Sequence, residues 1–290
     1  MKGVFTVLAA GALLNPLSAA AAPFFFSTGD PDGRMATASR PSSTGKIEIE
    51  SADDFIVTSQ TTITSATFTG LLTGNVTTAD LGNVGVEIYR VFPNDSTNPP
   101  SGHVPTRVNS PSDVAFDGRD AAAMNLSYAT TELAASFTAA NSVLNGIHPA
   151  PNQTTGGEGP VTGQEVRFDL TFNTPFMLSA DHYFFVPQVE VNGGEFYWLS
   201  APKPIVAPGT PFTPDLQSWI RNENLAPDWL RVGTDIVGGS PAPTFNAAFS
   251  LTGEMAGEGN GGTVPEPGTL ALLGVGLAGL GFTRRRVSKR

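Results

Sequence analysis

A strict two-residue alternation in residues 165–176 (EVRFDLTFNTPF) constrains the fold of this chain more than any other feature. Charged or polar residues separate a regularly spaced apolar set, which is Val166, Phe168, Leu170 and Phe172. Because successive side chains of a strand point to opposite faces, this pattern predicts a strand with one buried and one solvated face. Such strands are typical of antiparallel sheets, so the stretch favours an all-β protein.

Similar strand signals recur along the chain, at residues 46–70, 84–92, 181–191, 195–200 and 244–255. In the first of these, Ile47 and Ile49 alternate with Glu48 and Glu50, which indicates a strand.

Turn and breaker residues organise these strands further. The Asn192-Gly193-Gly194 turn predicts that the strands on either side of it pair as a hairpin. Pro187 has no N–H to donate, so it requires an edge or a bulge at its place in the strand. Residues 121–147 are Ala-rich and fit a helix or a strand with a loop equally well. Long loops are predicted at residues 93–111, 148–163 and 201–214.

Composition fits a packed β domain. Of the 290 residues, 40% are hydrophobic and 14% are charged, and cysteine is absent. The apolar content is enough for a core, and the lack of cysteine excludes disulfides, thiol nucleophiles and thiolate metal sites. We predict an all-β fold, a jelly-roll-like β-sandwich with long loops over residues 22–254. An N-terminal signal helix and a short hydrophobic C-terminal helix flank it.

The N-terminal residues 1–21 are typical of a secretory signal peptide. Lys2 provides the positive start, residues 4–17 are apolar, and residues 18–22 are small. Pro23 disfavours a cut directly before it, so cleavage is predicted after Ala20 or Ala21. The alternative is a buried N-terminal helix.

The C-terminal residues 264–290 form a second targeting signal, joined to the body by a Gly-rich linker at residues 255–263. The apolar and small residues 268–283 would extend about 24 Å as a helix, against about 30 Å for a bilayer core. The segment is therefore a marginal membrane span, and the basic cluster after it would stay in the cytoplasm with the body outside. The alternative is an ordinary C-terminal anchor.

This tail resembles the PEP-CTERM sorting domain of Gram-negative bacteria. The matching residues are Val264, Pro265, Glu266, Pro267, the apolar run to Phe282, Arg284, Arg285 and Arg286. The resemblance implies an exosortase, a membrane transpeptidase-like protease, as processing partner, often in bacteria that make exopolysaccharide. It also implies delivery to the cell surface or extracellular matrix. The body is loosely similar to secreted bacterial sandwich domains found before such tails, which implies a fold and no activity.

The charge distribution argues against nucleic acid as a partner. Six of the 16 basic residues lie in the two terminal signals, so the remainder of the chain holds 10 basic and 25 acidic residues, a net charge of −15. A body this acidic repels nucleic acid and anionic lipid and attracts cations.

Four aspartates are candidate Ca²⁺ ligands: Asp30, Asp32, Asp53 and Asp54. An Asp-x-Asp-Gly turn can direct oxygen ligands at Ca²⁺, although the complete twelve-residue loop of an EF-hand is missing. The alternative is that these are ordinary turn residues.

Four aromatic residues are candidates for carbohydrate binding: Tyr197, Trp198, Trp219 and Trp229, which fall within 33 residues. An exposed row of such rings could stack on the apolar faces of sugars. The alternative is that they fill the core or hold the neighbouring loop in place.

No catalytic motif is present, and the three histidines lack metal-ligand spacing. We therefore expect a non-enzymatic surface or matrix protein that is anchored at least transiently through its C-terminal helix and needs no cofactor. One alternative is a carbohydrate- or Ca²⁺-binding lectin-like module associated with exopolysaccharide. Another is a secreted polysaccharide hydrolase, which would need paired carboxylates about 5–10 Å apart in a cleft.

Overall fold

The computed structural model describes residues 21–97, 102–148, 154–202 and 216–256. Residues Ala22–Ala256 form one compact unit. The strands of its described part are β1 (Ala22–Ser27), β2 (Ala36–Ala38), β3 (Ile49–Val57), β4 (Thr61–Thr73), β5 (Leu81–Arg90), β6 (Asp117–Asp120), β7 (Leu126–Ala139), β8 (Ser142–Val143), β9 (Val161–Leu178), β10 (Asp181–Val191), β11 (Glu195–Ala201), β12 (Trp219–Asn222), β13 (Leu230–Arg231), β14 (Asn246–Ala247) and β15 (Phe249–Met255). The all-β prediction is confirmed.

Helical structure in the described ranges is limited to a 3₁₀ turn at Thr78–Asp80 and a π-helical segment at Val232–Val237. The described part of the chain contains no helix with the length and apolarity needed to cross a bilayer. The predicted signal helix, sorting motif and C-terminal helix lie outside the described residues, as does nearly all of the linker.

The first sheet is built around β4. On one side β4 pairs with β9, which pairs in turn with β7. The other side of β4 is shared, because residues 61–68 pair with β15 and residues 70–73 pair with β11. β15 continues to β1, while β11 continues to β2 and β14, and β2 pairs in parallel with β8.

The second sheet has the antiparallel order β13-β12-β3-β10-β5-β6. The main core lies between the two sheets and is rich in phenylalanine. Phe185 of β10 stacks on Phe249 of β15, with ring centroids 5.1 Å apart. The alternating residues that predicted β9 are all buried in this core, so that prediction is confirmed.

Two loops add a third layer over part of the outer face of the second sheet. A separate apolar cluster forms there, in which Leu216 and Trp229 pack against Tyr89, Phe184 and Val186 of the sheet. The covering segments lie within residues 91–97, 102–116 and 223–229. The outer face of this sheet is therefore partly interior.

The predicted hairpin between β10 and β11 is wrong. β10 pairs with β3 and β5, whereas β11 pairs with β2, β4 and β14 in the other sheet. The glycine turn therefore carries the chain from one sheet to the other. A side chain at Gly194 would place its Cβ 2.1 Å from the carbonyl oxygen of Thr73, so the crossing requires glycine.

Pro187 lies where the ladder between β10 and β3 has already ended, because the last pair of that ladder is Phe185 with Asp53. Beyond that pair, Ser39 takes the place of β3. Its hydroxyl donates to the Pro187 carbonyl at 2.5 Å, and its own carbonyl accepts from Val189 N–H at 3.1 Å. The local break supplies the edge that a proline requires.

The ambiguous stretch at residues 121–147 is strand rather than helix, since it contains β7 and β8. Its Thr, Ser and Tyr residues suit a pleated strand beside β9, and this tertiary pairing outweighs the helix propensity of alanine.

Candidate functional site

The four aromatic residues predicted as sugar-stacking candidates lie in the interior. Their exposed fractions are 6% for Tyr197, 1% for Trp198, 2% for Trp219 and 0% for Trp229. Trp198 donates its indole N–H to the carbonyl of Ala248 at 2.9 Å. These rings fill core positions, as the alternative interpretation predicted, and they do not form an exposed row.

Asp53 and Asp54 are buried and hydrogen-bonded to protein donors. Asp53 accepts from the Ser218 hydroxyl at 3.0 Å and from Ala247 N–H at 2.8 Å, which links β3 to the first sheet. Asp54 lies 2.6 Å from Nε2 of His182. Their carboxylates therefore serve as structural acceptors.

Asp30 is exposed, while Asp32 accepts from the Ser200 hydroxyl at 2.5 Å and from Arg34 N–H at 3.0 Å. Across the described ranges, no group of three or more His, Asp or Glu side chains is arranged to hold a metal ion.

A polar cluster that sequence reasoning missed lies on the outer face of the second sheet. We name it the Glu87 cluster, and its members are Glu50 of β3, Glu87 and Tyr89 of β5, and Arg221 of β12. The Tyr89 hydroxyl lies 2.7 Å from Oε1 of Glu50 and 2.8 Å from Oε2 of Glu87. Arg221 donates through Nε to Glu50 and through Nη2 to the Tyr89 oxygen at 2.9 Å.

Hydrogen-bond counting places a proton on this cluster. The Tyr89 hydroxyl has a single hydrogen, yet two carboxyl groups lie within bonding distance of it. One carboxyl must itself carry a proton for both contacts to be hydrogen bonds. Glu50 is ion-paired with Arg221, so the proton belongs on Glu87.

The surroundings of Glu87 explain why it holds that proton. Burial, followed by repulsion from Glu50 and then Glu48, raises the pKa of Glu87 to about 7, and the hydrogen bond from Tyr89 only partly opposes this. Burial also raises the pKa of Tyr89, so its hydroxyl stays protonated. The side chain opposite Glu87 on β6 is absent, because that position is Gly118.

Glu48 extends the acidic surroundings of the Glu87 cluster. Burial raises the pKa of Glu48 as well, while the amide of Gln188 donates to its carboxylate at 2.9 Å and opposes the rise.

The Glu87 carboxyl lines a polar cleft of about 350 Å³. Gly85 and Gly118 leave its floor without side chains, and the walls include Asn83, Asp120 and Gln188. Glu87 faces Gly118 across β5 and β6, and Gly85 faces Asp120. Glu87 and Asp120 are therefore diagonal neighbours on one sheet face. A cleft with these groups can bind hydroxyl-rich molecules through hydrogen bonds and can give up or accept a proton.

A second buried ionic group links the two loops of the third layer to each other. Arg107 lies 3.1 Å through Nε from Asp228 and also contacts Asp113, and all three side chains are at most 2% exposed. The Asp113 carbonyl accepts from Arg221 at 3.2 Å. This group thus connects both covering loops to the Glu87 cluster.

The sequence did not predict the Glu87 cluster, because the third layer buries side chains on a sheet face that would otherwise be exposed to solvent. Glu50 is 3% exposed and Ile47 is 39% exposed, although glutamate is usually exposed and isoleucine is usually buried. The available signal was the concentration of Trp219, Arg221 and Trp229 in one segment. Arginine often stacks on indole rings, and Arg221 lies 4.3 Å over the Trp229 ring.

A groove of about 470 Å³ lies on the first sheet, across β15, β4, β9 and β7. Hydroxyl groups dominate its lining, which includes Ser65, Thr67, Ser127, Thr171 and Thr252. Asp169, which also lines it, is ion-paired with Arg167 at 3.1 Å. The groove is thus polar and close to neutral in a strongly acidic body.

Comparison with known proteins assigns the tail. No curated protein and no solved structure is significantly similar to the chain. Residues 263–286 match the PEP-CTERM protein-sorting motif, and this span includes the predicted motif at residues 264–267 and the arginines at 284–286. The prediction for the tail is confirmed, and the chain therefore carries a PEP-CTERM sorting segment, which indicates an exported protein of an exosortase-type sorting system.

Proposed function

We propose that this protein is a non-enzymatic component of the cell surface or extracellular matrix, delivered by its tail. The match of residues 263–286 to the PEP-CTERM motif carries the proposal. The N-terminal signal starts export, the C-terminal segment holds the chain in the membrane at least transiently, and an exosortase-type enzyme processes it. The β-sandwich is the exported part and acts by binding or assembly rather than by catalysis.

The test is to fractionate native cells and to read both ends of the mature protein by mass spectrometry. We expect the protein in the envelope or matrix fraction, beginning at Ala21 or Ala22 and lacking the basic residues after Phe282. A cytosolic protein with Met1 and Arg290 both present would overturn the proposal.

Carbohydrate binding is a second candidate function, favoured by the hydroxyl-lined groove of the first sheet. Exopolysaccharide of the host is the ligand to test, by retardation in an affinity gel. The change Thr171→Arg fills the groove and should abolish retardation, whereas Thr162→Arg places the same charge at another exposed position of β9 and should not. Unretarded wild-type protein would remove this candidate.

Polysaccharide hydrolysis is the enzymatic alternative, and the pairing of Glu87 with Asp120 in the cleft is the feature to test. We expect no release of reducing ends from the host polysaccharide. Release by the wild type that is lost in both Glu87→Gln and Asp120→Asn would contradict the non-enzymatic proposal.

Ca²⁺ remains the one cofactor to test. Thermal unfolding should be insensitive to millimolar Ca²⁺ if the four aspartates are structural. A rise in melting temperature that disappears in Asp30→Asn or Asp32→Asn would instead assign them a metal.

A further inference from the structure

The first sheet ends in a long edge strand, β7, which has 14 residues. One side of β7 pairs with β9. Among the described residues, no strand pairs with its other side. Such an edge presents a row of backbone donors and acceptors that can pair with another chain.

The other outer strands of the two sheets are much shorter. β1 has 6 residues and contains Pro23, β6 has 4 residues, and β8 and β13 have 2 each. Short edges and prolines are the usual protection against pairing between molecules. β7 contains no proline, lysine or arginine, and Glu132 is its one charged residue.

The two halves of β7 also differ in their protection against pairing with another molecule. Its pairing with β9 is regular from Leu126 to Glu132, and register shifts occur only after Glu132. Bulges of this kind turn an edge away from other strands, but they leave the first seven residues regular. Half of the strand is therefore suited to accept a partner.

We infer that a second copy of this chain adds to the sheet at this edge, with the two β7 strands antiparallel about a two-fold axis at Ala129. In this register each Glu132 faces Leu126 of the other copy. The two Glu132 carboxylates therefore do not lie directly opposite each other. Isologous pairing of this type closes the assembly as a dimer.

Two exposed apolar side chains flank the regular part of this edge. Met124 is 80% exposed just before β7, and Leu133 is 45% exposed near its middle. A second copy that pairs along residues 126–132 ends close to both of them, and covering apolar surface favours association.

Cysteine cross-linking in the full exported chain tests the register directly, because the chain has no cysteine of its own. Ala129→Cys places two thiols opposite each other across the axis, at a Cα separation of about 4.5–5.5 Å, which suits a disulfide. We expect most of this variant to form a covalent dimer on mild oxidation. Thr252→Cys, exposed on β15, should stay largely monomeric.

A charge variant provides the second measurement, by analytical ultracentrifugation of the same chain in mild detergent. Ala129→Lys places two ammonium groups opposite each other at the axis, and their repulsion should weaken dimerisation about tenfold or more. Thr252→Lys should leave dimerisation unchanged. A monomeric wild type, an Ala129→Cys variant that does not cross-link, or equal effects of the two lysine variants would each overturn the inference.

Discussion

At the residue scale, the Glu87 cluster shows how one position acquires unusual chemistry. Glu87 alternates correctly in β5 and looks like an ordinary surface residue in the sequence. Its setting changes because Glu50 lies against the same hydroxyl and Gly118 supplies no side chain opposite it. The proton that Glu87 holds in this cluster makes the stability of the fold depend on pH.

The sign of that dependence follows from the raised pKa of Glu87. Between about pH 4.5 and 7 the unfolded chain loses this proton while the folded chain keeps it, so the free energy of unfolding falls as pH rises. A shift from 4.5 to about 7 corresponds to about 3 kcal/mol at about 1.36 kcal/mol per pKa unit. Below that window both states are protonated and the dependence vanishes.

Glu87→Gln should therefore remove most of this dependence, because the amide imitates the protonated carboxyl. We expect the variant to be more stable than the wild type by up to about 3 kcal/mol at pH 8 and nearly equal to it at pH 4.5. Urea unfolding followed by tryptophan fluorescence across this range measures the difference. Glu254→Gln, which removes an exposed carboxylate, is the control, and parallel curves for wild type and Glu87→Gln would contradict the prediction.

Arg221 gives a second prediction at this scale. Arg221→Met leaves Glu50 buried without its cation, which should lower the free energy of unfolding by about 3–5 kcal/mol. The pair Arg167–Asp169 is the matched control, since both side chains are about 40% exposed and Arg167→Met should cost no more than about 1 kcal/mol. Adding Glu50→Gln to Arg221→Met should recover much of the loss, and no recovery would mean that unpaired charge is not the cause.

At the scale of elements, the sequence predicts strands better than it predicts their partners. The alternation that identifies β9 depends on local periodicity, and the structure buries the predicted face. The partners of β10 and β11 depend on long-range packing, so a turn that favours a hairpin joins two sheets instead. The Glu87 cluster has the same origin, because loops distant in sequence convert an outer face into an interior one.

The contact between β4 and β11 gives a prediction for the elements. A Cβ at Gly70 would lie 2.2 Å from the ring of Phe196 and 2.4 Å from the carbonyl of Tyr197. Gly70→Ala should therefore force the strands apart and cost at least about 2 kcal/mol, as overpacking does in other cores. Gly85→Ala, whose nearest neighbours are 3.5 Å away or more, is the control within a strand. Equal melting temperatures for the two variants would show that β4 and β11 leave room for a side chain at position 70.

At the scale of the whole molecule, the sandwich accommodates processing at both ends. β1 begins at Ala22, so a cut after Ala20 or Ala21 leaves the strand intact. Ala22 pairs with Met255, which places the start of β1 beside the end of β15, the last strand before the linker. Removing the signal and the tail therefore costs the sandwich none of its described strands.

The sorting motif gives the last prediction. Glu266 is the charged member of the Pro-Glu-Pro sequence, and Glu266→Ala should leave the tail attached if a processing enzyme reads that sequence. Five basic residues follow Phe282, so the unprocessed variant should also focus at a higher pH than the mature wild type. Intact mass and isoelectric focusing of protein from the native host measure both effects. Glu258→Ala removes the same charge from the Gly-rich linker and should be processed normally. If the two variants have the same C-terminus, recognition does not depend on Glu266, and the apolar run with its basic cluster would have to be sufficient for sorting.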